Sequence, residues 1–272
     1  MTITLPLIIE PDTLEPLLEH PDLLVVDVCQ PQNWRQLHVP GAVHLDPFSL
    51  VCGTAPAPGK LPTPRQLHAL FASIGYRPDQ HIVVYDDEGG GWAGRFIWML
   101  DVIGHTRYSY LNGGLFSWYK EEHPLSTAVR EIPPTPVQLT LHHEFTASLD
   151  DVLNALEDPS AKIWDARSPE EYSGLRTSSM RSGHIPGAIN LDWVECMDRA
   201  SNMRLLPLPL LREKLQALGI HAHHHIITHC QSHHRSGLTY LVAKALGFRV
   251  QAYDGSWAEW GNLSHTPIEV IA

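Results

Sequence analysis

The sequence is poor in charged side chains, and poorest in basic ones. Of its 272 residues, 18% are charged, and 19 Lys and Arg against 30 Asp and Glu give a formal net charge of −11. Nucleic-acid binding requires clustered basic residues that neutralise phosphates, so this composition argues against a nucleic-acid partner. Long apolar runs are also missing, since none approaches the ~20 residues of a membrane-spanning helix. The first residues, MTITLPLIIE, lack the basic start of a secretory signal peptide. We therefore expect a soluble, cytoplasmic protein that binds no membrane.

Cysteine is also scarce. The sequence has four cysteines, and no two of them form a C-x-x-C pair. A zinc site built on cysteines therefore has no anchor. A disulfide framework is not expected either, because hydrophobic residues make up 43% of this long chain and suffice for a core. Each cysteine is therefore considered by itself; the four are Cys29, Cys52, Cys196 and Cys230.

Histidine, in contrast, is abundant, with 18 residues in the chain. Four of them are crowded into one short segment, where neighbouring side chains cannot all face a single ion. We interpret this segment as a solvated loop before a strand, with a metal site as the alternative. Its histidines are His221, His223, His224 and His225.

The chain contains an internal repeat. Two segments each have an apolar run that ends in an aspartate, Asp27 or Asp165, followed by H-x-P-G-A-x-x-L-D at 38–46 and 184–192. Further on, residues 82–118 and residues 226–260 share one order of features. Each has a strand, a polar turn, a helix that ends at a glycine, a second strand, and then an Asn-Gly or Asp-Gly pair followed by a tryptophan. Similarity that recurs in order at a fixed spacing indicates two copies of one domain. We predict domains at 1–124 and 146–272, joined by an extended, proline-containing linker at 125–145.

Each copy is predicted to have the α/β fold. Short runs such as LLVVDV and HIVVYD are continuously apolar, which is typical of strands in a parallel sheet that is covered on both faces. Helical stretches alternate with these runs, so we expect a mostly parallel sheet flanked by helices in each copy. The predicted helices cover 63–74, 94–103, 208–218 and 236–246.

The two copies differ in the loop after one strand. When the strands are aligned, Asp86 of the first copy occupies the position of Cys230. A cysteine between a strand and the start of a helix lies where open α/β sheets bind ligands. Backbone N–H groups and the helix dipole favour an anion there, which lowers the pKa of a thiol. Arg235 adds a cation. The first copy offers carboxylates and glycines instead, so we expect it to stabilise no anion and to be inactive.

The other cysteines have no such surroundings. Cys29, Cys52 and Cys196 are interpreted as buried structural thiols. His233 and His234 are expected to tune the charge of the loop or to donate to solvent. A catalytic Cys–His pair is the alternative for them. We disfavour it because both histidines lie inside the same turn as the cysteine.

Three features resemble tandem-domain rhodaneses: the repeated H-x-P-G-A motif, the loop CQSHHRS (230–236) in the second copy alone and the segment YDGSWAEWG (253–261). The loop resembles more closely that of the bacterial thiosulfate sulfurtransferases. The resemblance spans nearly the whole chain and implies two rhodanese-like domains, with the catalytic one second. It implies a double displacement, in which Cys230 takes sulfane sulfur from thiosulfate or a similar donor and becomes a persulfide. The sulfur then passes to cyanide or another thiophile.

The same resemblance implies the rest of the site. The loop backbone would cradle the persulfide, and Arg235 would hold the anionic donor. The persulfide is covalent, so no separate cofactor is expected, and the partners are a small sulfur donor and a thiophilic acceptor such as cyanide or a thiol. A monomer is expected. The family's donor-binding arginine falls here near Glu170 and Glu171, which leaves Arg176 and Arg181 as possible replacements. The implied substrate-binding residues are Gln231, Ser232, His233, His234 and Arg235.

Two other functions stay open at this point. Phosphatases and arsenate reductases of the same fold use a C-x5-R loop, which is wide enough for a tetrahedral anion. Here Arg235 follows Cys230 with four residues between them, and this shorter C-x4-R loop favours a single sulfur atom. The third hypothesis is a persulfide carrier or regulatory binding module without turnover of its own.

Overall fold

The computed structural model describes residues 3–130 and 132–271. The chain forms two compact units. The first comprises the described residues through Leu50, then Pro62–His142 and Asp198–Leu205; the second comprises Val51–Leu61, His143–Met197 and the residues from Leu206 onward. Two short segments therefore belong to the unit formed mainly by the other half of the sequence, which the repeat alone does not reveal. The contiguous boundaries 1–124, 125–145 and 146–272 stay a prediction.

Strands and helices alternate along both halves of the chain. The strands are β1 (Ile8–Ile9), β2 (Leu23–Asp27), β3 (Val43–His44), β4 (His81–Tyr85), β5 (Tyr108–Leu111), β6 (Ala161–Asp165), β7 (Ile189–Asn190), β8 (Met197–Asp198), β9 (Arg204–Leu205), β10 (His225–His229) and β11 (Arg249–Ala252). The helices are α1 (Pro11–Leu14), α2 (Pro31–Gln36), α3 (Pro64–Ser73), α4 (Gly91–Val102), α5 (Gly114–Lys120), α6 (Leu149–Ala155), α7 (Pro169–Ser173), α8 (Leu208–Ala217), α9 (Arg235–Ala245) and α10 (Ser256–Trp260).

Each unit is built on a parallel sheet. The strand order is β1-β5-β4-β2-β3 in the first unit and β11-β10-β6-β7 in the second. Neighbouring strands pair in parallel in both sheets. The orders β5-β4-β2-β3 and β11-β10-β6-β7 correspond, so the predicted α/β class and the repeat are confirmed. Among the described residues, no helix combines the length and apolar character needed to cross a bilayer.

Burial explains why these segments form strands and helices. The residues of β4 are all buried, and so are four of the five residues of β10, as expected for central strands. The four predicted helices are present, with bounds that differ by at most three residues. The largest difference is α4, which begins at Gly91 and is buried along its entire length.

The H-x-P-G-A motif has a structural role. The ring of His184 stacks on Tyr172 with centroids 3.7 Å apart, and its Nδ1–H donates to the Tyr172 carbonyl oxygen at 2.9 Å. In the first copy, His38 stacks on Trp34 at 3.5 Å and donates to its carbonyl oxygen at 2.9 Å. Gly187 of the motif has a φ of +69°, which favours glycine. The motif therefore fastens the helix to the strand that follows it.

This role leads to a prediction for stability without an effect on chemistry. His184→Ala removes the stacking and the buried hydrogen bond, so we expect a loss of about 1–3 kcal/mol in the free energy of unfolding. Urea unfolding measures this loss. Reaction of the Cys230 thiol with an alkylating agent under folding conditions should stay within about twofold of wild type. A large fall in thiol reactivity in a folded variant would contradict a purely structural role.

Candidate active site

Cys230 lies at the carboxyl edge of the sheet in the second unit. It follows β10 directly, and α9 begins at Arg235. Because β10 and β6 are parallel, with His229 opposite Asp165, the residues that follow either strand lie at this same edge. The Cys230 side chain is buried. The structure thus places the thiol between a strand and a helix, as the sequence predicted.

A serine outside the loop fixes the loop's backbone. The Ser256 Oγ accepts the N–H groups of Cys230 at 3.3 Å and of His233 at 3.0 Å, and it donates to the Tyr253 carbonyl oxygen at 2.9 Å. His233 is buried with a φ of +54°, and its Nδ1 lies 2.8 Å from the Ser236 Oγ. His233 therefore holds the turn together from inside. The sequence predicted that the N–H groups of the loop face an anion. Those of Cys230 and His233 donate to the Ser256 hydroxyl instead.

The surroundings of Cys230 favour its thiolate. Burial raises the pKa of the Cys230 thiol, but the charge of Arg235 and hydrogen bonds from Ser236 outweigh burial, and the pKa is lowered. Cys196 is buried in the same unit, and burial, to which nearby carboxylates add, raises its pKa to about 12 although the charge of Lys214 opposes it. Burial also raises the pKa of Cys29, where nearby carboxylates add to the effect. Equally buried thiols thus have pKa values that are shifted in opposite directions. The charge of Arg235 and the hydrogen bonds from Ser236 make the difference at Cys230.

Arg235 is held by a carboxylate. Its Nη1 lies 2.6 Å from Glu171 Oε2, and its Nη2 lies 3.0 Å from Glu171 Oε1. This is a two-point contact of a guanidinium with a carboxylate. The Arg235 side chain is 21% exposed and that of Glu171 is 6% exposed. The loop cation is therefore partly accessible, while its partner is covered.

The loop side chains Gln231 and His234 face neighbouring segments. The Gln231 Nε2 donates to the Ser178 carbonyl oxygen at 3.1 Å, and the Ser178 Oγ donates to the Gln231 Oε1 at 2.7 Å. The ring of His234 lies 6.0 Å from that of Trp193, between centroids. Both residues are half-buried, and they contact different segments of the chain.

Ser232 is in close contact with the segment Val51–Leu61. A methyl group on Gly59 would lie 2.1 Å from the Ser232 carbonyl oxygen, so only glycine fits against the loop there. The next residue, Lys60, donates to the Asp254 Oδ1 at 2.8 Å and thereby fastens the segment to the same unit. The backbone of this segment thus forms one wall of the cysteine loop.

A buried ion pair lies below the loop. The Arg167 Nη2 is 2.6 Å from the Asp165 Oδ2, and both side chains are fully buried. The guanidinium also lies over the Trp257 ring, 4.3 Å from its centroid. The His229 Nε2 lies 3.6 Å from the same carboxylate oxygen. Burial raises the pKa of Asp165, but His229 and Arg167 outweigh it and lower the pKa.

The corresponding loop of the first unit holds an anion of its own. Asp86 follows β4, and its Oδ1 accepts the N–H groups of Glu88 at 3.2 Å, Gly89 at 3.1 Å and Gly90 at 2.8 Å. Its Oδ2 accepts the N–H of Ala93 at 3.0 Å. These four N–H groups offset part of the cost of burying the carboxylate, but burial outweighs them and raises the pKa of Asp86, which agrees with the expectation that this loop does not favour an anion. Backbone N–H groups form the cradle without any basic side chain, and the Asp86 carboxylate fills it.

Comparison with known proteins identifies the family. The model of the Rhodanese-like domain matches residues 10–121 and again 148–263. The chain belongs to the rhodanese family. It is 51% identical over 271 residues to a thiosulfate sulfurtransferase of Azotobacter vinelandii and 49% identical over 270 residues to one of Pseudomonas aeruginosa, with 98% of each chain covered. The crystal structure of SseA from Escherichia coli, described as a 3-mercaptopyruvate sulfotransferase, aligns with a TM-score of 0.81 at 28% identity and covers 93% of this chain and 99% of that one.

The two arginines considered for the rhodanese donor site have different positions. Arg181 donates to the carbonyl oxygens of Thr266 at 2.8 Å and Trp260 at 3.0 Å, so its guanidinium holds backbone in place. Arg176 is exposed, and its backbone N–H donates to the Glu170 carbonyl oxygen at 2.9 Å. Arg235 is thus the arginine that lies in the cysteine loop itself.

The histidine-rich segment forms a turn. His221 and His223 are exposed, whereas His224 is buried and its Nδ1 accepts the His221 N–H at 2.9 Å. His225 begins β10. No group of three or more His, Cys, Asp or Glu side chains suited to a metal ion occurs in the described part of the chain. The interpretation as a loop before a strand is confirmed, except that His224 closes the turn from a buried position.

Three residues of this rhodanese site were not assigned from the sequence. Ser256 acts through a hydroxyl group that only the folded backbone brings to the loop, whereas Ser236 is a loop residue whose hydroxyl group was given no role. Glu171 lies far from Arg235 in sequence, although its place at the start of α7, after β6, was a signal that it ends at the same sheet edge as Cys230.

The filled cradle of the first unit leads to a pH prediction. Burial raises the pKa of Asp86 from 3.8 to about 7, with Glu88 adding to the effect and the N–H donors opposing it. Between these pH values the folded chain holds a proton that the unfolded chain has released, so rising pH lowers the free energy of unfolding. Asp86→Asn lacks this titration. The difference in the free energy of unfolding, wild type minus Asp86→Asn, should fall by about 1.4 kcal/mol per pH unit from about pH 4 to about pH 7. Urea unfolding across this range measures it, and a constant difference would contradict the raised pKa.

Proposed function

We propose that this rhodanese transfers sulfane sulfur from thiosulfate to a thiophilic acceptor through a persulfide on Cys230. The observation that carries the proposal is the position of the buried Cys230 between β10 and α9, where Arg235 and Ser236 lower the pKa of its thiol, whereas the pKa of the equally buried Cys196 is raised. A nucleophilic cysteine requires a stabilised thiolate, which burial alone would prevent. The full-length similarity to two thiosulfate sulfurtransferases supports the same substrate class.

The proposed reaction has two displacements. The Cys230 thiolate attacks the sulfane sulfur of thiosulfate, the sulfur–sulfur bond of the donor breaks, and sulfite leaves with the bonding electron pair. An acceptor such as cyanide then attacks the outer sulfur of the persulfide, and the thiolate leaves and is restored. Thiosulfate is an anion, so the charge of Arg235 both stabilises the thiolate and attracts the donor.

The remaining features of the proposal follow from this chemistry. The sulfur is carried by Cys230 itself, so the reaction requires no separate cofactor, and its partners are a small donor and a small acceptor. The loop backbone and side chains from Gln231 to His234 would line the substrate. The four cysteines are not joined in disulfides, which is typical of a reducing compartment and supports a cytoplasmic location. We also propose that the protein is a monomer. We expect it to bind no nucleic acid, because basic residues are few.

The nucleophile can be tested directly. Cys230→Ser should abolish sulfur transfer from thiosulfate to cyanide, because the alcohol forms no persulfide and is a poor nucleophile at neutral pH. Intact mass should rise by about 32 Da after wild type is mixed with thiosulfate, and this gain should be lost in the variant.

Cys196→Ala is the matched control, because this thiol is equally buried in the same unit. The control should load sulfur as wild type does. Retained transfer in Cys230→Ser, or loss of loading in folded Cys196→Ala with Cys230 intact, would sink the assignment. Loading of wild type without turnover to cyanide would instead favour a carrier function, which the name of a 30% identical sulfur carrier protein of Thermus thermophilus makes the second candidate.

The length of the loop separates sulfur transfer from phosphatase chemistry. Inserting a glycine between His233 and His234 gives C-x5-R while keeping the thiol and the cation. The hydrogen bonds of His233 to Ser256 and Ser236 would shift, so the loop would close less tightly around a single sulfur. We expect sulfur loading to fall at least about tenfold, or ~1.4 kcal/mol at the barrier.

Wild type should hydrolyse an activated aryl phosphate no faster than Cys230→Ser does. The insertion variant is measured with the same two substrates, and its folding is checked by thermal unfolding. Strong wild-type phosphatase activity without sulfur on Cys230 would reverse the proposed function.

A further inference from the structure

The two units of this chain act as an internal comparison for the cysteine loop. Their equivalent positions follow from the shared strand order, with His229 of β10 opposite Asp165 in one unit and Tyr85 of β4 opposite Asp27 in the other. Both aspartates are retained and fully buried. Residues that serve the common fold should be retained in both units, whereas residues that serve the thiol should differ together.

Three differences occur together around the thiol. Cys230 is replaced by Asp86 in the first unit, and Arg235, the first residue of α9, corresponds to Gly91, the first residue of α4. Glu171 is the third residue of α7, and the third residue of α2 is Asn33. The first unit thus lacks the thiol, the loop cation and the carboxylate that contacts this cation. The carboxylate is present where the arginine is present.

Glu171 has contacts that fix its own position. Its Oε2 accepts the Ser168 N–H at 3.3 Å, and the Ser168 Oγ accepts the Glu171 N–H at 3.4 Å, which forms a capping box at the start of α7. The same Oε2 lies 2.6 Å from the Arg235 Nη1. In the first unit the Asn33 Nδ2 instead contacts the Asp87 Oδ2 at 2.5 Å. Glu171 therefore joins the rigid start of one helix to the first side chain of another.

The negative charge of Glu171 next to the cysteine loop is by itself unfavourable for sulfur transfer, so the carboxylate must have a compensating role. The site must stabilise a thiolate and attract an anionic donor, and a buried negative charge opposes both. An arginine side chain also has many rotamers, and a two-point contact removes most of them. A guanidinium has five N–H groups, so two can bind the carboxylate while others still face a substrate.

We propose that Glu171 is a positioning residue for sulfur transfer, which holds the guanidinium of Arg235 beside Cys230 and the anionic donor. This inference rests on the proposed function of Cys230. It assigns to Glu171 no contact with the donor. The charge of Arg235 lowers the pKa of the Cys230 thiol, and the gain from holding this cation in place is expected to exceed the repulsion from the carboxylate.

The test uses Glu171→Gln, which keeps the side-chain length and an acceptor for the Ser168 N–H but removes the charge. Sulfur loading from thiosulfate is followed by intact mass over a range of donor concentrations. We expect kcat/KM for loading to fall about tenfold, mainly through a higher KM, while discharge by cyanide changes less than about twofold. Glu170→Gln is the matched control, because Glu170 is exposed on the same helix, makes no contact with Arg235, and should leave loading unchanged.

A double-mutant cycle separates positioning from general stability. Arg235→Lys keeps the positive charge but cannot form the two-point contact. If Glu171 acts through Arg235, Glu171→Gln should change loading by less than about twofold in the Arg235→Lys background. The same tenfold loss in both backgrounds would overturn the proposal. Thermal unfolding of each variant is recorded, and Glu171→Asp replaces Glu171→Gln if the latter does not fold, with the same expected pattern at a smaller size.

The rate of Cys230 alkylation by iodoacetamide provides a second readout, which requires no sulfur transfer from a donor. Glu171→Gln should slow alkylation about threefold in the Arg235 background and leave it unchanged in the Arg235→Lys background. If wild type does not load sulfur from thiosulfate, the proposed function fails while the alkylation cycle still tests positioning. If wild type loads sulfur and both cycles show no coupling, the positioning role fails while the proposed function stands.

Discussion

The parallel pairing of β6 with β10 is the constraint on which the candidate site depends. It places the carboxyl ends of two strands side by side, with Asp165 opposite His229. The chain after β10 becomes the cysteine loop, and the chain after β6 becomes the short helix that presents Glu171. Thiol, cation and carboxylate therefore meet although more than fifty residues separate Glu171 from Cys230 in the sequence. An antiparallel pair would place these two chain segments at opposite edges of the sheet.

The loops of the two units give different answers to one physical problem, the burial of an anion. In the first unit four backbone N–H groups bind the Asp86 carboxylate, and burial still raises its pKa to about 7. In the second unit the thiol has the cation Arg235 and both the hydroxyl and the backbone N–H of Ser236 beside it, and its pKa is lowered. Backbone N–H groups alone thus tolerate an anion at this position. The charge of Arg235 and the hydrogen bonds from Ser236 are what make the anion favourable.

Much of the fold could be predicted from the sequence because apolar strands and turn motifs are local signals. The repeat, the α/β class and the place of Cys230 between a strand and a helix all follow from such signals. The roles of Ser256 and Glu171 do not, because a hydroxyl or carboxylate on a distant segment reaches the loop only through the folded backbone. The hydrogen bonds from Glu88, Gly89 and Gly90 to Asp86 could not be predicted either, because backbone N–H donors leave no side-chain signal in the sequence.

The paired state of Arg235 also bears on how the site can turn over. Catalysis requires stronger interactions in the transition state than with substrate or product. A buried guanidinium without a partner would bind thiosulfate and the leaving sulfite alike, and it would hold the product in place. With Glu171 in two-point contact, the pair has no net charge, so its attraction for anions at a distance is weak. Arg235 still attracts an anion that lies directly in front of its remaining N–H groups. Such a cation favours negative charge where its remaining N–H groups point and binds anions elsewhere in the site only weakly. Release of sulfite and attack of the acceptor on the persulfide are then compatible with the same arginine that stabilises the thiolate.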